Sequence, residues 1–213
     1  MRGTLRWVQH TLFAGAIVLL GYCGCSAADT WIFQHRENRN LQRLLETSQA
    51  SFPAVAPRGL IGRLEIPRLG LSAILSEGVD ARTLRRAVGH LPGTPLPGQP
   101  GNVALSGHRD TFFRPLRNIK ENDVIVVTTL RGEYRYRVVS TRVVSADDIS
   151  VLNAGTPAPR SRVGQDEILT LITCYPFYFV GAAPDRFIVR AARIAPLQRV
   201  TSLQQSGPGG LNL

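Results

Sequence analysis

The chain has 213 residues, of which 44% are hydrophobic, and this predicts one globular core with additional segments. Its 25 Lys and Arg residues outnumber its 15 Asp and Glu residues, so the formal net charge of +10 favours anionic partners. The arginines are spread along the chain and are not interleaved with aromatic residues, so the composition does not favour nucleic acid. An anionic membrane or an envelope polymer is the next candidate partner.

The first predicted element is a membrane helix. The segment Thr11–Ala28 runs for 18 residues without a charge, which is enough to cross a bilayer. Arg2 and Arg6 precede it, so the positive-inside rule predicts a cytoplasmic N-terminus and an extracytoplasmic remainder. A cleaved signal peptide is the alternative, because small residues end the segment. Lipidation at Cys23 or Cys25 is less favoured, because Tyr22 stands directly before Cys23, where a lipoprotein box needs a small residue, and three positions before Cys25, where it weakens the match.

The residues after this anchor predict a stalk. Gln34–Ala50 is polar, with Leu41, Leu44 and Leu45 at helical spacing, which is typical of a short helix. The sequence SFPAVAPRG that follows breaks any regular pattern and predicts a linker. At the other end of the chain, Gln204–Leu213 is Gly-rich and is expected to be disordered.

Short strands separated by Gly, Pro and Asp residues fill the region between Gly59 and Ala195, which predicts an all-β barrel. One short helix is expected near Asp80–Ala87 and a turn at Thr111–Leu116. The stretch Gly89–Gly101, with four Pro and four Gly, is predicted to be a loop. The predicted strands lie near Ile61–Ile66, Leu71–Leu75, Asn102–Ser106, Asp123–Thr129, Glu133–Ser145, Glu167–Cys174 and Arg186–Ile194.

A single cysteine belongs to the exported domain. Cys23 and Cys25 lie in the apolar segment, so Cys174 has no partner for a disulfide within the domain. Cys174 ends a predicted strand, because Pro176 prevents the strand from continuing, and its thiol is therefore expected at the rim of the barrel. A small buried hydrophobic residue is the structural alternative for this cysteine.

A cysteine nucleophile reacts as a thiolate and needs a basic neighbour, most often an imidazole. His10 and His35 lie in the anchor and the stalk, which leaves His90 and His108. His108 follows a predicted strand, whereas His90 lies in the Pro/Gly loop, so His108 is the better candidate. One Cys and two His do not give the ligand spacings of a structural zinc site.

The same chemistry needs positive charge or oriented donors near the developing oxyanion. Arg186 begins the strand that follows the loop after Cys174, so it lies near the thiol if the two strands are neighbours. Arg190 is the competitor, two pleats further along the same strand face. An ordinary solvated arginine is the alternative for either residue.

The motif LSGHRD, the motif TLITCYP and the following DRFIV together resemble the sortase family, over about Gly59–Ala195. The resemblance implies an eight-stranded β-barrel and a catalytic site of Cys174, His108 and Arg186. It also implies that Thr173 and Tyr175 contribute to substrate binding. The pattern TCYPF is most similar to class D of the family, with class E next.

The resemblance also implies an activity. Such enzymes cut a C-terminal sorting signal, LPxTG-like, after its Thr, hold the acyl part as a thioester on the cysteine and transfer it to an amine. The expected partners are therefore proteins that end in this motif, an apolar span and a basic tail, an amine acceptor of the cell wall or a pilin, and the cytoplasmic membrane. No cofactor, metal or nucleic acid is expected.

Three alternatives remain at this point. An L,D-transpeptidase also carries a cysteine on an exported β domain, but its His closely precedes that cysteine. A papain-like cysteine hydrolase has the opposite order of Cys and His. A non-catalytic envelope module on a membrane anchor would tolerate any residue at position 174. The predicted domains are the cytoplasmic N-terminus and signal anchor (1–28), stalk and linker (29–58), sortase barrel (59–196) and disordered tail (197–213).

Overall fold

The computed structural model describes residues 2–46, 54–56, 59–153, 167–178 and 181–194. The predicted C-terminal tail and most of the predicted linker lie outside the described residues. The described elements are the helices α1 (Arg2–Glu46) and α2 (Ala81–Arg86), and the strands β1 (Leu60–Ile66), β2 (Leu71–Glu77), β3 (Val88–His90), β4 (Gly101–Ser106), β5 (Val124–Thr129), β6 (Gly132–Ser145), β7 (Glu167–Tyr175) and β8 (Asp185–Arg193).

The eight strands close into a barrel in the order β1-β2-β3-β4-β7-β8-β6-β5. The pairs β2–β3 and β4–β7 are parallel, whereas β7–β8 is antiparallel. The predicted eight-stranded barrel is therefore confirmed. Because parallel strands run in the same direction, β4 and β7 both end at one rim of the barrel, and β8 begins there.

Alternation of side chains fills the barrel interior, since successive residues of a strand point to opposite faces. On β7, Leu169 and Leu171 are fully buried inside the barrel, while Ile168 and Ile172 on the other face are only partly covered. The other strands follow the same rule. The inward residues with essentially no exposed area include Leu64, Ile66, Leu75, Val103, Leu105, Ile125, Val127, Tyr136 and Val189.

Seven strands form where the alternating pattern predicts them, and the eighth, β3, is missed by the sequence. The prediction that His90 lies in a loop is wrong, because Val88–His90 pairs with β2 on one side and β4 on the other. A strand of three residues that includes a glycine has no pattern of its own, so its two neighbours specify it. The predicted short helix is present as α2, and the Asp80 carboxylate caps it by accepting bonds from two backbone N–H groups.

Helix α1 continues unbroken from the apolar segment to Glu46. Within the part of the chain that the structure describes, it is the one helix long and apolar enough to cross a membrane, a test that a signal sequence also passes. Its last turns pack on the barrel, where Leu41 is 1% exposed and contacts the cluster of Leu60, Ile74 and Ala87. Residues 29–46 are thus a docked helix and not a free stalk.

Polar contacts fix the position of α1 on the barrel. The Gln34 side chain accepts a bond from the Ile74 N–H at 2.9 Å and donates to the Arg86 carbonyl at 2.5 Å. The Asp29 carboxylate accepts two bonds from the Arg86 guanidinium, at 2.7 and 2.9 Å. Thr30 donates to the Arg85 carbonyl at 3.2 Å. These contacts start one residue after the predicted membrane span ends, so barrel and anchor meet at that point.

Candidate active site

Cys174 lies one residue before the end of β7, on the outer face of the barrel. The inward positions of this strand are taken by Leu169, Leu171 and Thr173, all buried, so the alternate position 174 faces outward. The cysteine is half-buried and forms no disulfide. Its thiol therefore has access to a substrate while its backbone is held in the sheet.

The parallel pairing of β4 with β7 directs His108 to the same rim of the barrel as Cys174. Each residue of β4 lies next to the β7 residue 66 positions later, from Gly101 beside Glu167 to Ser106 beside Ile172. His108 and Cys174 have the same separation, and two further bonds continue this register beyond the strand. The Gly107 N–H donates to the Ile172 carbonyl at 3.2 Å, and the Thr173 hydroxyl donates to the Gly107 carbonyl at 2.7 Å.

A buried carboxylate fixes the same register at the other end of β7. Glu167 is 4% exposed and accepts bonds from the Gly98 N–H at 2.7 Å, from the Tyr136 hydroxyl and from Arg193. Burial, together with the Glu167 charge, raises the pKa of Tyr136 well above its usual range, so the hydroxyl stays a donor. A slip of one residue would break these bonds and turn Cys174 into the barrel.

The loop after β4 folds back on His108. The His108 carbonyl accepts bonds from the Phe113 N–H at 3.0 Å and from the Thr111 N–H at 3.4 Å. Phe113 is fully buried, and its ring lies so close to Gly107 that an added Cβ there would be 2.8 Å from it. The backbone on both sides of His108 is therefore held by packing and by hydrogen bonds.

Arg186 lies directly opposite Cys174 in the antiparallel pair of β7 and β8. Its guanidinium donates to the carbonyls of Asp185 at 2.9 Å and Ala183 at 3.2 Å, which ties it to the turn that precedes β8. Arg190 lies opposite Thr170 and donates to the Asn153 carbonyl at 3.1 Å. Burial, with the nearby charge of Arg142, lowers the pKa of Arg190. The strand order therefore brings Arg186, and not Arg190, next to Cys174.

Thr173 and Tyr175 contact the protein itself in this structure. Thr173 is 2% exposed and its hydroxyl is bonded to the His108 loop, as described above. The Tyr175 ring stacks on Phe187 with centroids 6.3 Å apart and meets Phe177 edge-on at 6.1 Å. These contacts hold both residues within the protein next to Cys174. The predicted contacts of Thr173 and Tyr175 with a substrate stay predictions.

Arg109 is the residue of this site that the sequence analysis missed. Its guanidinium donates to the Pro176 carbonyl and to the Gly181 carbonyl, both at 3.0 Å. It thereby connects the loop of His108 with the loop that follows Cys174. The available signal was its position directly after the histidine in the GHRD sequence.

His90, the competing histidine, is bonded through both ring nitrogens. Its Nδ1 lies 2.8 Å from the Glu77 carboxylate, and its Nε2 lies 3.0 Å from the Pro95 carbonyl and 3.1 Å from the Thr94 hydroxyl. These bonds hold the start of the Pro/Gly loop. His90 is only 2% exposed, so its ring is buried and its hydrogen bonds give it a structural role.

A cleft of about 730 Å³ opens between α1 and the loop of His108. His108, Asp110 and Thr111 line one side, and helix residues that include Tyr22 and Cys23 line the other. No group of three or more His, Cys, Asp or Glu side chains suited to a metal ion occurs among the described residues.

Comparison with known proteins gives a consistent family. The sortase domain model matches residues 64–194. Sortase D of Bacillus subtilis is 36% identical over 149 residues, which cover 70% of this chain and 66% of that protein. Sortase SrtE1 of Streptomyces coelicolor is 33% identical over 126 residues, or 53% of this chain and 35% of that protein.

A solved structure agrees with these sequence matches. The Sortase D5 transpeptidase of Clostridium perfringens is similar with a TM-score of 0.53 and 28% identity, over 64% of this chain and 79% of that one. The two sequence matches span 66% of Sortase D and 35% of SrtE1, so this chain matches only part of the length of these two relatives. On the domain match, the barrel and these likenesses, the chain belongs to the sortase family, with class D the most similar.

Proposed function

We propose that this chain is a transpeptidase that cleaves an LPxTG-like sorting signal after its Thr and transfers the acyl part to an amine. The observation that carries the proposal is the register of three strands. It puts His108 at the same offset from Cys174 as every β4–β7 pair and puts Arg186 opposite the cysteine. Family membership does not favour the L,D-transpeptidase-like, hydrolase or non-catalytic alternatives.

The proposed reaction has two acyl transfers. The Cys174 thiolate attacks the carbonyl carbon of the scissile peptide, and the Arg186 guanidinium stabilises the oxyanion of the tetrahedral intermediate. The C–N bond breaks as the His108 imidazolium gives its proton to the leaving amine, which leaves a thioester. An acceptor amine then attacks the thioester, neutral His108 takes its proton, and the thiolate departs. No redox step or cofactor is involved.

The proposal includes the membrane topology of the chain. With α1 in the cytoplasmic membrane, the arginines at positions 2 and 6 favour a cytoplasmic N-terminus and an extracytoplasmic barrel. The partners are then membrane-tethered proteins whose sorting signal precedes an apolar span and a basic tail. The acceptor is an amine of the cell wall or of a pilin subunit.

The first prediction concerns the nucleophile. Cys174→Ala in the full chain should abolish both the release of the leaving peptide and the thioester adduct seen by mass spectrometry. The fold should persist, because the side chain is half-buried on the outer face. Cys25→Ser is the control and should retain full turnover. Turnover that survives in Cys174→Ala would contradict the assignment, and loss of folding would favour a structural cysteine.

A further inference from the structure

The cleft between α1 and the loop of His108 is built from two fixed walls. On the helix side, Cys23, Ala27 and Thr30 follow one another at intervals of four and three residues, so they share one face. Cys25 is about 200° around the helix from Cys23 and lies on the far side. The contacts of Asp29 and Gln34 with the barrel hold this helix face against the catalytic loop.

The cleft lies at the boundary of the predicted membrane span. Its helix wall runs from Tyr22, inside the apolar run, to Gln34, beyond the end of that run at Ala28. A helix rises about 1.5 Å per residue, so the part of the wall from Tyr22 to Ala27 covers roughly 8 Å along the helix at the end of the apolar run. The opposite wall carries His108. The cleft therefore lies between the group proposed to protonate the leaving amine and the helix segment where the predicted membrane span ends.

If the proposed function holds, the substrate also extends from a reacting bond to a membrane span. Its scissile bond precedes an apolar span, so after cleavage the amino group of the leaving part remains attached to the membrane by a short segment. That segment must run from His108 to the bilayer surface. A volume of about 730 Å³ is within the range of about 300–1,000 Å³ that binding pockets commonly have.

We propose that this cleft binds the leaving segment of the substrate, the residues between the scissile bond and the apolar span. The proposal rests on the proposed function and adds a subsite for it. The anchor helix then acts as one wall of the substrate site as well as a tether. The occupant is a peptide, and a lipid or a second copy of the chain are outcomes that the test separates.

Two native cysteines allow a direct test in the full chain. The Cys174→Ala variant, held in detergent micelles, is mixed with a sorting-signal peptide that the unaltered protein turns over. The peptide carries a chloroacetamide either four residues after the scissile bond or four residues before the motif. The downstream probe should alkylate Cys23 at least tenfold faster than Cys25, after correction for their rates with free iodoacetamide. The upstream probe should show no such preference.

The possible results are distinct. Equal labelling of Cys23 and Cys25 by the downstream probe overturns the proposal. So does preferential labelling of Cys23 by a lipid with the same reactive group when the peptide gives none. A cysteine-linked dimer of Cys23 that excludes the peptide would assign the cleft to a second copy. If no peptide is turned over by the unaltered protein, the proposed function has failed, and this result is separate from the others.

A second variant pair tests the subsite by activity. Ala27→Trp fills the cleft from the helix side, whereas Cys25→Trp adds the same ring on the far side. Ala27→Trp should lower kcat/KM at least tenfold for a peptide with six residues after the scissile bond. It should leave unchanged the turnover of a peptide that ends one residue after that bond. Cys25→Trp should change neither, and equal losses on both peptides would overturn the subsite.

Discussion

Arg186 and Arg190 lie on the same outer face of β8, and the register of β7 and β8 separates them. Arg186 is opposite Cys174, and Arg190 is opposite Thr170, four residues further along. With a strand rise of about 3.3 Å per residue, the two arginines are roughly 13 Å apart along the strand. Arg190 therefore begins too far away to reach an oxyanion formed on the cysteine, and its bond to the Asn153 carbonyl holds it there.

This difference makes a prediction for the two arginines. Arg186→Ala should slow thioester formation by about a hundredfold to a thousandfold, since an oxyanion donor contributes about 2.7–4 kcal/mol in the transition state. Arg186→Lys should also be severely impaired, because lysine lacks the planar fork of donors. Arg190→Lys should be close to normal. The measurement is the initial rate of thioester formation, with circular dichroism as a check of folding.

A larger loss in Arg190→Ala than in Arg186→Ala, with both variants folded, would contradict this assignment. Arg109 is a useful comparison because its role is different. It reaches the carbonyls of Pro176 and Gly181 and so positions two loops. It also forms interactions beyond these two bonds, so its substitution would disturb more than one contact.

At the scale of elements, the end of β4 is closely packed. Gly107 lies between the last residue of the strand and His108, and the Phe113 ring leaves no room for a side chain there. The ring is fully buried, so it cannot move aside without disturbing the core. The glycine is thus required by close packing.

Gly107→Ala should therefore destabilise the barrel by about 1–3 kcal/mol, the usual effect of overpacking a core. It should also reduce turnover, because the shift falls on the residue before His108. Adding Phe113→Leu should recover part of the stability, and the double-mutant cycle in urea unfolding measures this coupling. If Gly107→Ala is as stable and active as the unaltered chain, the close packing described here is wrong.

The elements that the sequence predicts are those with a pattern of their own. β7 and β8 alternate clearly, so their position, the outward-facing Cys174 and the neighbouring Arg186 follow from the sequence. β3 has three residues and forms only because β2 and β4 pair with it. The contacts of Arg109 are equally invisible in the sequence, because they depend on how two loops approach one another in space.

In the whole molecule, the residues after the apolar N-terminal run pack on the barrel. Helical spacing of Leu41, Leu44 and Leu45 predicts a helix correctly, but it does not say which surface covers these leucines. In the structure they pack near Ala56, Leu60 and the other residues of a small second core. The apolar run, the docked helix and the barrel are therefore continuous, and with α1 in the membrane as proposed, this packing would set the height of the candidate active site above it.

The last prediction tests that continuity. Leu41 is 1% exposed, so Leu41→Ala in the full chain should lower the free energy of unfolding of the barrel by about 2–5 kcal/mol through lost burial and a cavity. Ile32, on the same helix, is 43% exposed, and Ile32→Ala should change it by less than about 0.5 kcal/mol. The measurement is urea unfolding in detergent micelles, followed by circular dichroism. A free stalk would give equally small effects for both substitutions, and that result would show that α1 does not share the stability of the barrel.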